Sequence, residues 1–280
     1  DDTTRAVVPT LFSGNTVGTS VGSYAFDRNP LSVLRLPHLA ARASDPAISG
    51  NGGVLSNGTV GGGAIGLLVP TAYTVISGAG GYFNNDQSHY WRGGVSASKP
   101  LGAHVDAGAT VGFEGIAANG RTDLGVGLDI GGAYRIDSVE SFEHLRVHAA
   151  VLRIGKEASL GRDVRSPYPA FTPLLGVDGT LRTNSPLTID LAVALSTPRL
   201  QTVAFDIGAR VQFSGGLYAG VGWHRQLGST GRGGTWPGMV VGYSWPAGAA
   251  RRDGGNVTVQ PTSSGDVVLA GGFEIELPAT

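Results

Sequence analysis

Apolar residues recur at every second position along most of this chain, most clearly between residues 187 and 213. Two runs share this period and are separated by Pro198: Leu187, Ile189, Leu191, Val193 and Leu195, then Val203, Phe205, Ile207, Ala209, Val211 and Phe213. Successive side chains of a β-strand point to opposite faces, so each run has one wholly apolar face. The opposite face carries small and charged residues such as Asp190, Asp206 and Arg210. The pattern predicts two strands of a wall with lipid outside and a polar interior.

The same alternation predicts further strands on both sides of this pair. We expect strands over residues 39–44, 59–69, 73–84, 90–99, 105–114, 124–136, 145–154, 175–182, 187–196, 203–213, 217–226, 238–245 and 267–277. Asn119-Gly120 predicts a tight hairpin turn, because both residues tolerate positive φ. We therefore predict an all-β fold: a closed antiparallel transmembrane β-barrel of about 12–14 strands, each near the length that a tilted membrane crossing needs.

Composition favours a closed wall over a soluble β-sandwich or secreted adhesin, which is the alternative fold. Glycine makes up 46 of 280 residues, and charged residues only 15%, against about 25% in typical soluble domains. Glycine inside a strand normally marks crowding, which a filled barrel interior explains and a solvated face does not. Aromatic residues near the strand ends predict girdles at the two membrane interfaces: Tyr73, Phe83, Tyr90, Trp91, Tyr134, Trp223, Trp236, Tyr243 and Trp245.

Charged and polar residues on the non-apolar strand faces are the candidate lumen-lining residues. They are Arg92, Asp106, Glu114, Asp129, Arg135, Arg146, Asp178, Arg182, Asp190, Asp206, Arg210, His224 and Glu274. Unpaired charges are costly to bury, so we expect these groups to pair across neighbouring strands and fill the interior. A polar constriction along a permeation path is the functional alternative.

The first 58 residues lack the regular alternation and form a Gly- and Ser-rich segment, whereas residues 59–280 form the predicted barrel domain. Asn29 and Pro30 suit the start of a short helix, with Leu31 and Leu34 on one face and Pro37 ending it. We expect this segment to form a plug or an ordinary surface turn. The chain begins without a basic and apolar leader, as an exported protein does after its signal peptide is removed.

The run Gly18-Thr19-Ser20-Val21-Gly22-Ser23-Tyr24-Ala25-Phe26-Asp27-Arg28-Asn29-Pro30-Leu31 precedes the regular strands. It resembles the N-terminal region of FadL/PorV-like outer-membrane barrels, although Leu31 stands where alanine is usual. The resemblance implies a barrel of about 14 strands in the bacterial outer membrane. It also implies either passage of hydrophobic small molecules or a scaffolding role in a secretion or surface assembly.

Other motifs and the overall charge do not favour an enzyme or a nucleic-acid-binding protein. Gly18–Gly22 matches G-x-S-x-G without the strand–turn–helix context of a hydrolase, and Gly61–Gly66 matches G-x-G-x-x-G inside a strand pattern. His144 and His148 would lie too far apart on a strand to share a metal. The net charge of −1 gives no basic field for nucleic acid. We expect no catalytic residue, metal or cofactor.

The first functional hypothesis is a FadL-like barrel through which small hydrophobic molecules cross the outer membrane. The second is a sealed PorV-like barrel that binds a protein partner through loops at residues 156–170 and 247–264. In both cases the lipid bilayer is the expected surrounding.

Overall fold

The computed structural model describes residues 30–31, 36–58, 60–85, 88–137, 139–161, 166, 170–183, 186–227, 237–246, 252–261 and 266–278. Within these ranges 14 strands form one closed barrel. They are β1 Ala47–Leu55, β2 Val60–Pro70, β3 Val75–Asn85, β4 Ser88–Leu101, β5 Val105–Ala118, β6 Arg121–Ile136, β7 Phe142–Lys156, β8 Thr172–Leu181, β9 Thr188–Ser196, β10 Val203–Gln212, β11 Leu217–Leu227, β12 Gly238–Pro246, β13 Arg252–Pro261 and β14 Val267–Glu276. The described residues contain no helix with the length and apolar character of a membrane-crossing one.

Every strand pairs antiparallel with its neighbours in the chain, and the first strand closes on the last. Ala47 of β1 pairs with Glu276 of β14, and the register continues to Leu55 opposite Val268. Closure leaves no strand edge, so the backbone groups of the wall are paired where water is absent. The predicted all-β closed barrel is confirmed, and the alternative of a soluble sandwich or adhesin is wrong.

Two strands were missed and one predicted strand is wrong. Residues 39–44 are not a strand; Pro37–Ala40 is a short 3-10 helix that begins at Pro37. The first strand is Ala47–Leu55, so the barrel begins before residue 58. The alternation of apolar residues is not evident in this strand because Gly50, Gly52 and Gly53 have no side chain. Residues 252–261 form β13, so 247–264 is not one long loop. Its residues Val257 and Val259 alternate with buried polar residues, a run too short and too polar to stand out in the sequence.

The two faces of the wall differ as predicted for residues 187–213. Phe205 and Ile207 are 38% and 45% exposed on the outside, whereas Asp206 between them is 1% exposed. The outer face carries most of the large exposed apolar side chains, and Tyr73, Tyr82, Tyr134, Tyr243 and Trp245 are exposed near the strand ends. Phe83 and Tyr90 were predicted for these girdles, but both side chains are buried inside. The predicted girdle residue Trp236 lies outside the described residues.

The two ends of the barrel have connections of different length. At the terminal end, where β1 begins and β14 ends, short turns such as 71–74 and 213–216 join the strands. At the loop end, the connections include residues 157–171 and 228–237. Outer-membrane barrels have short periplasmic turns and longer external loops, so the terminal end corresponds to the periplasmic side. Asn119 and Gly120, both with positive φ, form the predicted hairpin turn at the loop end.

An inner segment, residues 30–31 and 36–46, passes through the barrel from the loop end to the terminal end. Leu31 packs among side chains at the loop-end halves of β1 to β5. Leu36 and Leu39 contact the inner faces of β7, β8 and β9, and Ala40 packs with Ala47, Leu68 and Val75 at the terminal end. The segment therefore fills the interior lengthwise before the chain enters β1. The predicted helix over residues 29–36 falls largely outside the described residues.

We expect an arginine on the outer face to lower the free energy of unfolding strongly in the middle of a strand and only slightly at the end of a strand. Val193 lies in the middle of β9, beside Val177 and Ile207 of the adjacent strands. Val193→Arg should lower the free energy of unfolding by about 2–4 kcal/mol, and Leu227→Arg at the end of β11 by about 0–1 kcal/mol. Denaturant unfolding in lipid vesicles, followed by tryptophan fluorescence, measures both. Equal losses would contradict a lipid-facing wall.

Candidate functional site

A packed cluster of apolar side chains, here called the apolar chamber, lies inside the barrel at the loop end and includes Leu31 of the inner segment. Its other members are buried apolar side chains from six strands and one loop: Leu55, Val60, Ala64, Phe83, Tyr90, Ile116, Ala158 and Val268. Phe83 and Tyr90 alternate with outward residues of β3 and β4, which places their rings inside. The interior at this end is therefore hydrophobic, which the sequence analysis did not predict.

The described part of the connection 157–171 lies against this chamber, and Glu114 holds Ala158 and Ser166 there. The Glu114 carboxylate accepts hydrogen bonds from Ala158 N at 3.0 Å, Ser166 Oγ at 2.7 Å and Tyr90 Oη at 2.8 Å. It also forms an ion pair with Arg153. A carboxylate with this many donors is strongly stabilised in its charged form. Glu114, a predicted lumen residue, thus joins the wall, the loop and the chamber.

Arg153 reaches Glu114 because β7 contains a bulge. Opposite Leu128–Ile130 the register between β6 and β7 shifts, and Arg153 has a positive φ of 61°. The bulge puts Leu152 and Arg153 on the same inner side, so the strict period of two fails there. The Arg153 amide also donates to Asp129 Oδ1. The sequence did not identify Arg153 as an interior residue, because strict alternation from Val151 would place its side chain on the outer face.

Two ion pairs nearer the protein surface attach the same connection to the barrel. Glu157 pairs with Arg199 of the β9–β10 turn and accepts from Ala170 N at 3.0 Å. Asp123 of β6 pairs with Lys156 Nζ at 2.6 Å and accepts from Ser159 N at 2.9 Å. The described part of this connection, 157–161, 166 and 170–171, is therefore fixed against the barrel. It is not an extended loop that projects outward.

At the terminal end, Arg42 ties the inner segment to the wall. Its Nε donates to Asp106 Oδ1 at 2.7 Å, and Arg135 Nε donates to Asp106 Oδ2 at 2.6 Å. Arg42 Nη2 also donates to the carbonyl oxygens of Gly102 and Ala103 at 3.0 and 2.6 Å. Asp106 and Arg135 are both predicted lumen residues, and they pair across β5 and β6. Arg42 was missed because it lies in the irregular N-terminal part of the chain.

In the middle, a chain of hydrogen bonds links the inner segment to β7 and β8. His38 Nε2 lies 2.8 Å from His148 Nδ1, and His148 Nε2 contacts Asp178 Oδ1. Arg146 donates to Asp178 Oδ2 from Nε at 2.9 Å and from Nη2 at 2.7 Å. His38 and His148 are each 1% exposed. Asp178 and Arg146 were predicted site residues; the two histidines that complete the chain were not.

Glycines on the inner face leave room for the inner segment. A Cβ on Gly108 would lie 2.6 Å from the carbonyl carbon of Pro37, and one on Gly66 would lie 2.9 Å from Pro30 Cβ. A Cβ on Gly131 would lie 2.7 Å from His38 Nδ1. These contacts are too short for any side chain, so glycine is required where the wall meets the segment. The crowded interior expected from the glycine content is present at these positions.

The remaining predicted lumen residues form smaller pairs or lie nearer the surface. Asp190 accepts from Arg210 Nη2 at 3.1 Å and Thr180 Oγ1 at 2.7 Å, and Asp206 pairs with His224 Nδ1 at 2.6 Å. Arg92 Nη2 lies 3.6 Å from Asp129 Oδ2. Arg182 is exposed and Glu274 is half-buried. Of the predicted plug residues, Pro30 and Leu31 are described, whereas Asn29 and Leu34 lie outside the described residues.

A second apolar feature, the wall cavity, lies between β6, β7, β8 and the end of β9. Its volume is about 620 Å³, and it is lined by Ile130, Gly131, Gly132, Ala149, Ala150, Val151, Ile154, Pro173, Leu174, Leu175, Leu195 and Thr197. Gly131 and Ala150 separate the cavity from the inner segment. Pro173 lacks an N–H and faces Val151 across the β7–β8 pair, and Phe171 beside it has a positive φ of 45°. Pro173 therefore cannot donate to the β7–β8 ladder here, and the β7 bulge lies nearby.

Within the described ranges, the motifs that resemble catalytic or metal sites have no such site around them. Gly61–Gly66 lies within β2, as expected from its strand pattern, and Gly18–Gly22 lies outside the described residues. No group of three or more metal-ligating side chains occurs in the part of the chain that the structure describes. The functional features of the described residues are therefore the chamber, the inner segment with its ties, and the wall cavity.

We expect an added methyl group at Gly108 to loosen the inner segment. Gly108→Ala places a Cβ against the Pro37 backbone, whereas Gly112→Ala, on the same face of β5, meets no atom closer than 3.6 Å. Overpacking should cost about 1–3 kcal/mol, roughly a 5–150-fold change in opening. The chain contains no cysteine, so the rate of thiol modification of a buried Ala40→Cys reports the opening. Equal rates in the two glycine variants would contradict the contact.

We also expect loss of the Glu114 charge to be more destabilising than loss of one of its hydrogen bonds. Glu114→Gln leaves Arg153 buried without its charged partner and should lower the free energy of unfolding by about 3–5 kcal/mol. Tyr90→Phe should lower it by about 0.5–1.5 kcal/mol. Adding Arg153→Met to Glu114→Gln should recover most of the loss. Denaturant unfolding in detergent measures all three, and a larger loss for Tyr90→Phe would refute the ion pair as the anchor.

Comparison with solved structures identifies the fold, whereas no protein-family model and no curated protein matches the sequence. The chain is similar to the toluene transporter TbuX of Ralstonia pickettii, with 13% identity and a TM-score of 0.61 over 96% of this chain and 99% of that chain. It is also similar to the P. putida toluene transporter TodX, with 9% identity and a TM-score of 0.64 over 96% of this chain and 100% of that chain. The CymD monoaromatic hydrocarbon channel is similar as well, with 9% identity and a TM-score of 0.59 over 96% of this chain and 99% of that chain. By its fold and its apolar outer face, the chain is similar to the FadL-like barrels of the outer membrane.

Proposed function

We propose that the chain is a gated channel through which small hydrophobic molecules cross the outer membrane. The observation that carries this proposal is the apolar chamber at the loop end. Leu31 there contacts Leu55, Phe83, Tyr90 and Ile116 inside a barrel whose other interior groups are mainly charged or small. A water-filled porin has a polar interior, so a hydrophobic chamber at one mouth favours an apolar passenger.

Leu31 occupies the chamber as a hydrophobic ligand would. Its side chain is fully buried there, under Ala158 of the folded-over connection. A passenger that enters from the loop end has to displace Leu31, and it gains similar apolar contacts. The chamber is thus a binding site that the inner segment blocks.

The inner segment, which fills the barrel lengthwise, serves as the plug in this proposal. Its ties differ in strength along its length. The Leu31 side chain packs against apolar groups of the chamber, whereas the Arg42 side chain is held by an ion pair with Asp106 and by two carbonyl oxygens. Displacement should therefore begin at Leu31, while the Arg42 end stays attached. The names of the similar structures, two toluene transporters and a monoaromatic hydrocarbon channel, support a small apolar passenger.

A sealed scaffold is the second candidate, and the tight interior favours it. Glu114, His148 and Asp206 are each 1% exposed, so the described interior leaves no open path beside them. However, the two segments predicted to be partner-binding loops, residues 156–170 and 247–264, differ from that prediction. The connection 157–171 is fastened inward, and most of 247–264 is strand β13. Any partner surface on the scaffold would have to lie elsewhere.

We expect a reversible cross-link between the plug and the wall to control uptake. A Cβ on Gly66 would lie 2.9 Å from Pro30 Cβ, so a small outward shift gives the roughly 3.5–4.5 Å that a disulfide requires. Liposomes containing the Pro30→Cys/Gly66→Cys variant should take up toluene when reduced and lose most uptake when oxidised. Each single-cysteine variant, treated in the same way, is the control.

The same assay separates the channel from the scaffold. Uptake by the wild-type protein and by the reduced double variant, above that of empty liposomes, is the expected result. If neither protein raises uptake although heat-modifiable migration shows a folded barrel, the channel proposal is wrong and the sealed scaffold remains. If oxidation leaves uptake unchanged, the inner segment is not the gate.

A further inference from the structure

One nitrogen atom in the middle of the barrel has no hydrogen-bond partner. Among the described residues, none donates to or accepts from His38 Nδ1, and the side chain is 1% exposed. A buried polar atom without a partner usually costs about 1–3 kcal/mol. Such an atom in a filled interior requires an explanation, and a ligand group is one.

The hydrogen bonds around His38 determine whether this nitrogen donates or accepts. Asp178 receives two N–H bonds from Arg146 on Oδ2, so it is a carboxylate and its Oδ1 accepts from His148 Nε2. A neutral His148 then has a bare Nδ1, which accepts from His38 Nε2. His38 therefore carries its proton on Nε2, and its Nδ1 is an acceptor.

Charge balance supports the neutral form of both rings. Asp178 already neutralises Arg146, so a proton on His148 or His38 would leave an uncompensated positive charge in the interior. Burial of His38, whose side chain is 1% exposed, disfavours a charged ring for the same reason. His38 Nδ1 is thus an acceptor in this arrangement.

The bare acceptor lies against the inner side of the wall at Gly131. A Cβ on Gly131 would lie 2.7 Å from His38 Nδ1 and 3.1 Å from Ala150 Cβ. Gly131 and Ala150 are both part of the cavity lining, together with Leu174 and Ile130. These two small residues lie between the acceptor and the wall cavity. A passenger inside the barrel beside Gly131 and Ala150 would therefore lie next to Nδ1.

From this geometry we infer that His38, held by the His148–Asp178 chain, is a selectivity residue that favours passengers with one O–H or N–H donor. The preferred class is a small apolar ring with a hydroxyl group, such as a phenol, over a hydrocarbon of the same size. The inference rests on the proposed channel and refines its substrate class. The apolar side chains of Leu36, Leu39 and Leu174 in the same part of the interior supply contact for the ring, and His38 Nδ1 supplies the one directional bond.

The physical basis is the cost of leaving the acceptor unpaired. A hydrocarbon that displaces any water from Nδ1 leaves a desolvated lone pair, whereas a hydroxyl donor satisfies it. One ordinary buried hydrogen bond corresponds to about a tenfold difference in affinity. An ether of similar shape has an oxygen but no donor, so it should gain nothing over the hydrocarbon. Phenol, ether and hydrocarbon therefore form a matched ligand series.

The test compares 4-methylphenol, 4-methylanisole and toluene on the full chain in detergent. Isothermal titration, corrected for partition into empty micelles, should give 4-methylphenol a Kd about tenfold lower than the other two ligands. Titration of ¹⁵N-histidine-labelled protein should show the His38 Nδ1 signal of an unprotonated nitrogen shift on binding of 4-methylphenol alone. These wild-type measurements need no variant to fold.

Two substitutions sharpen the test, with His144→Phe on the exposed side as the control. His38→Phe removes the acceptor, so the three ligands should bind equally. In the Asp178→Asn variant, the amide oxygen of the new side chain still accepts from Arg146, and its NH₂ group donates to His148 Nε2. The direction of each hydrogen bond from this side chain to His38 is then reversed. His38 Nδ1 then donates, so 4-methylanisole should bind as well as 4-methylphenol, and both better than toluene. The ¹⁵N signals of His38 should report the change of tautomer.

Each outcome supports or overturns the inference. Equal affinity of wild-type protein for 4-methylphenol and 4-methylanisole overturns it, as does a phenol preference that survives His38→Phe. In those cases toluene uptake by the wild-type protein shows that the proposed channel still stands. If the protein binds and takes up none of the three ligands, the proposed channel is wrong as well.

Discussion

Closure of the strand ladder is the constraint on which the rest of this structure depends. The outer face is apolar and lies in lipid, where an unpaired backbone N–H or C=O costs several kcal/mol. Pairing of β1 with β14 removes the last open edge. Closure also separates an interior from the lipid, and the period of two sends every second side chain into it. What fills this interior is then the main question of function.

Three acidic residues connect the wall to what lies inside, one at each level of the barrel. Glu114 holds the connection over the apolar chamber, Asp178 holds His38 through His148, and Asp106 holds Arg42. Each carboxylate is buried and each is matched by a cation of the wall or the inner segment. Buried charges of this kind stabilise one arrangement because any other leaves a charge unpaired. The inner segment is therefore fixed in one register, with the apolar side chain of Leu31 at the loop end.

The same arrangement explains why a packed barrel is compatible with passage. A plug held by charges at one end and by apolar contacts at the other can release its apolar end first. The chamber around Leu31 and the wall cavity beside Gly131 are both hydrophobic, and the bare nitrogen of His38 lies between the inner segment and that cavity. The interior thus combines an apolar route with a single polar contact, as ligand sites with directional selectivity do.

The sequence by itself determined the wall. Alternation predicted twelve of the strands, and it predicted the outward position of Phe205 and the inward position of Asp206, because lipid and interior act on successive residues separately. It failed where another effect replaced the period: glycines hid Ala47–Leu55, and the bulge moved Arg153 inside.

Only the tertiary structure decided how the interior is filled. The positions of Leu31, His38 and Arg42 depend on strands far along the chain, and a local pattern carries no information about which of them meet. The glycine content signalled crowding, but the register of the closed barrel decided that Gly108 and Gly131 are the positions where the inner segment touches the wall.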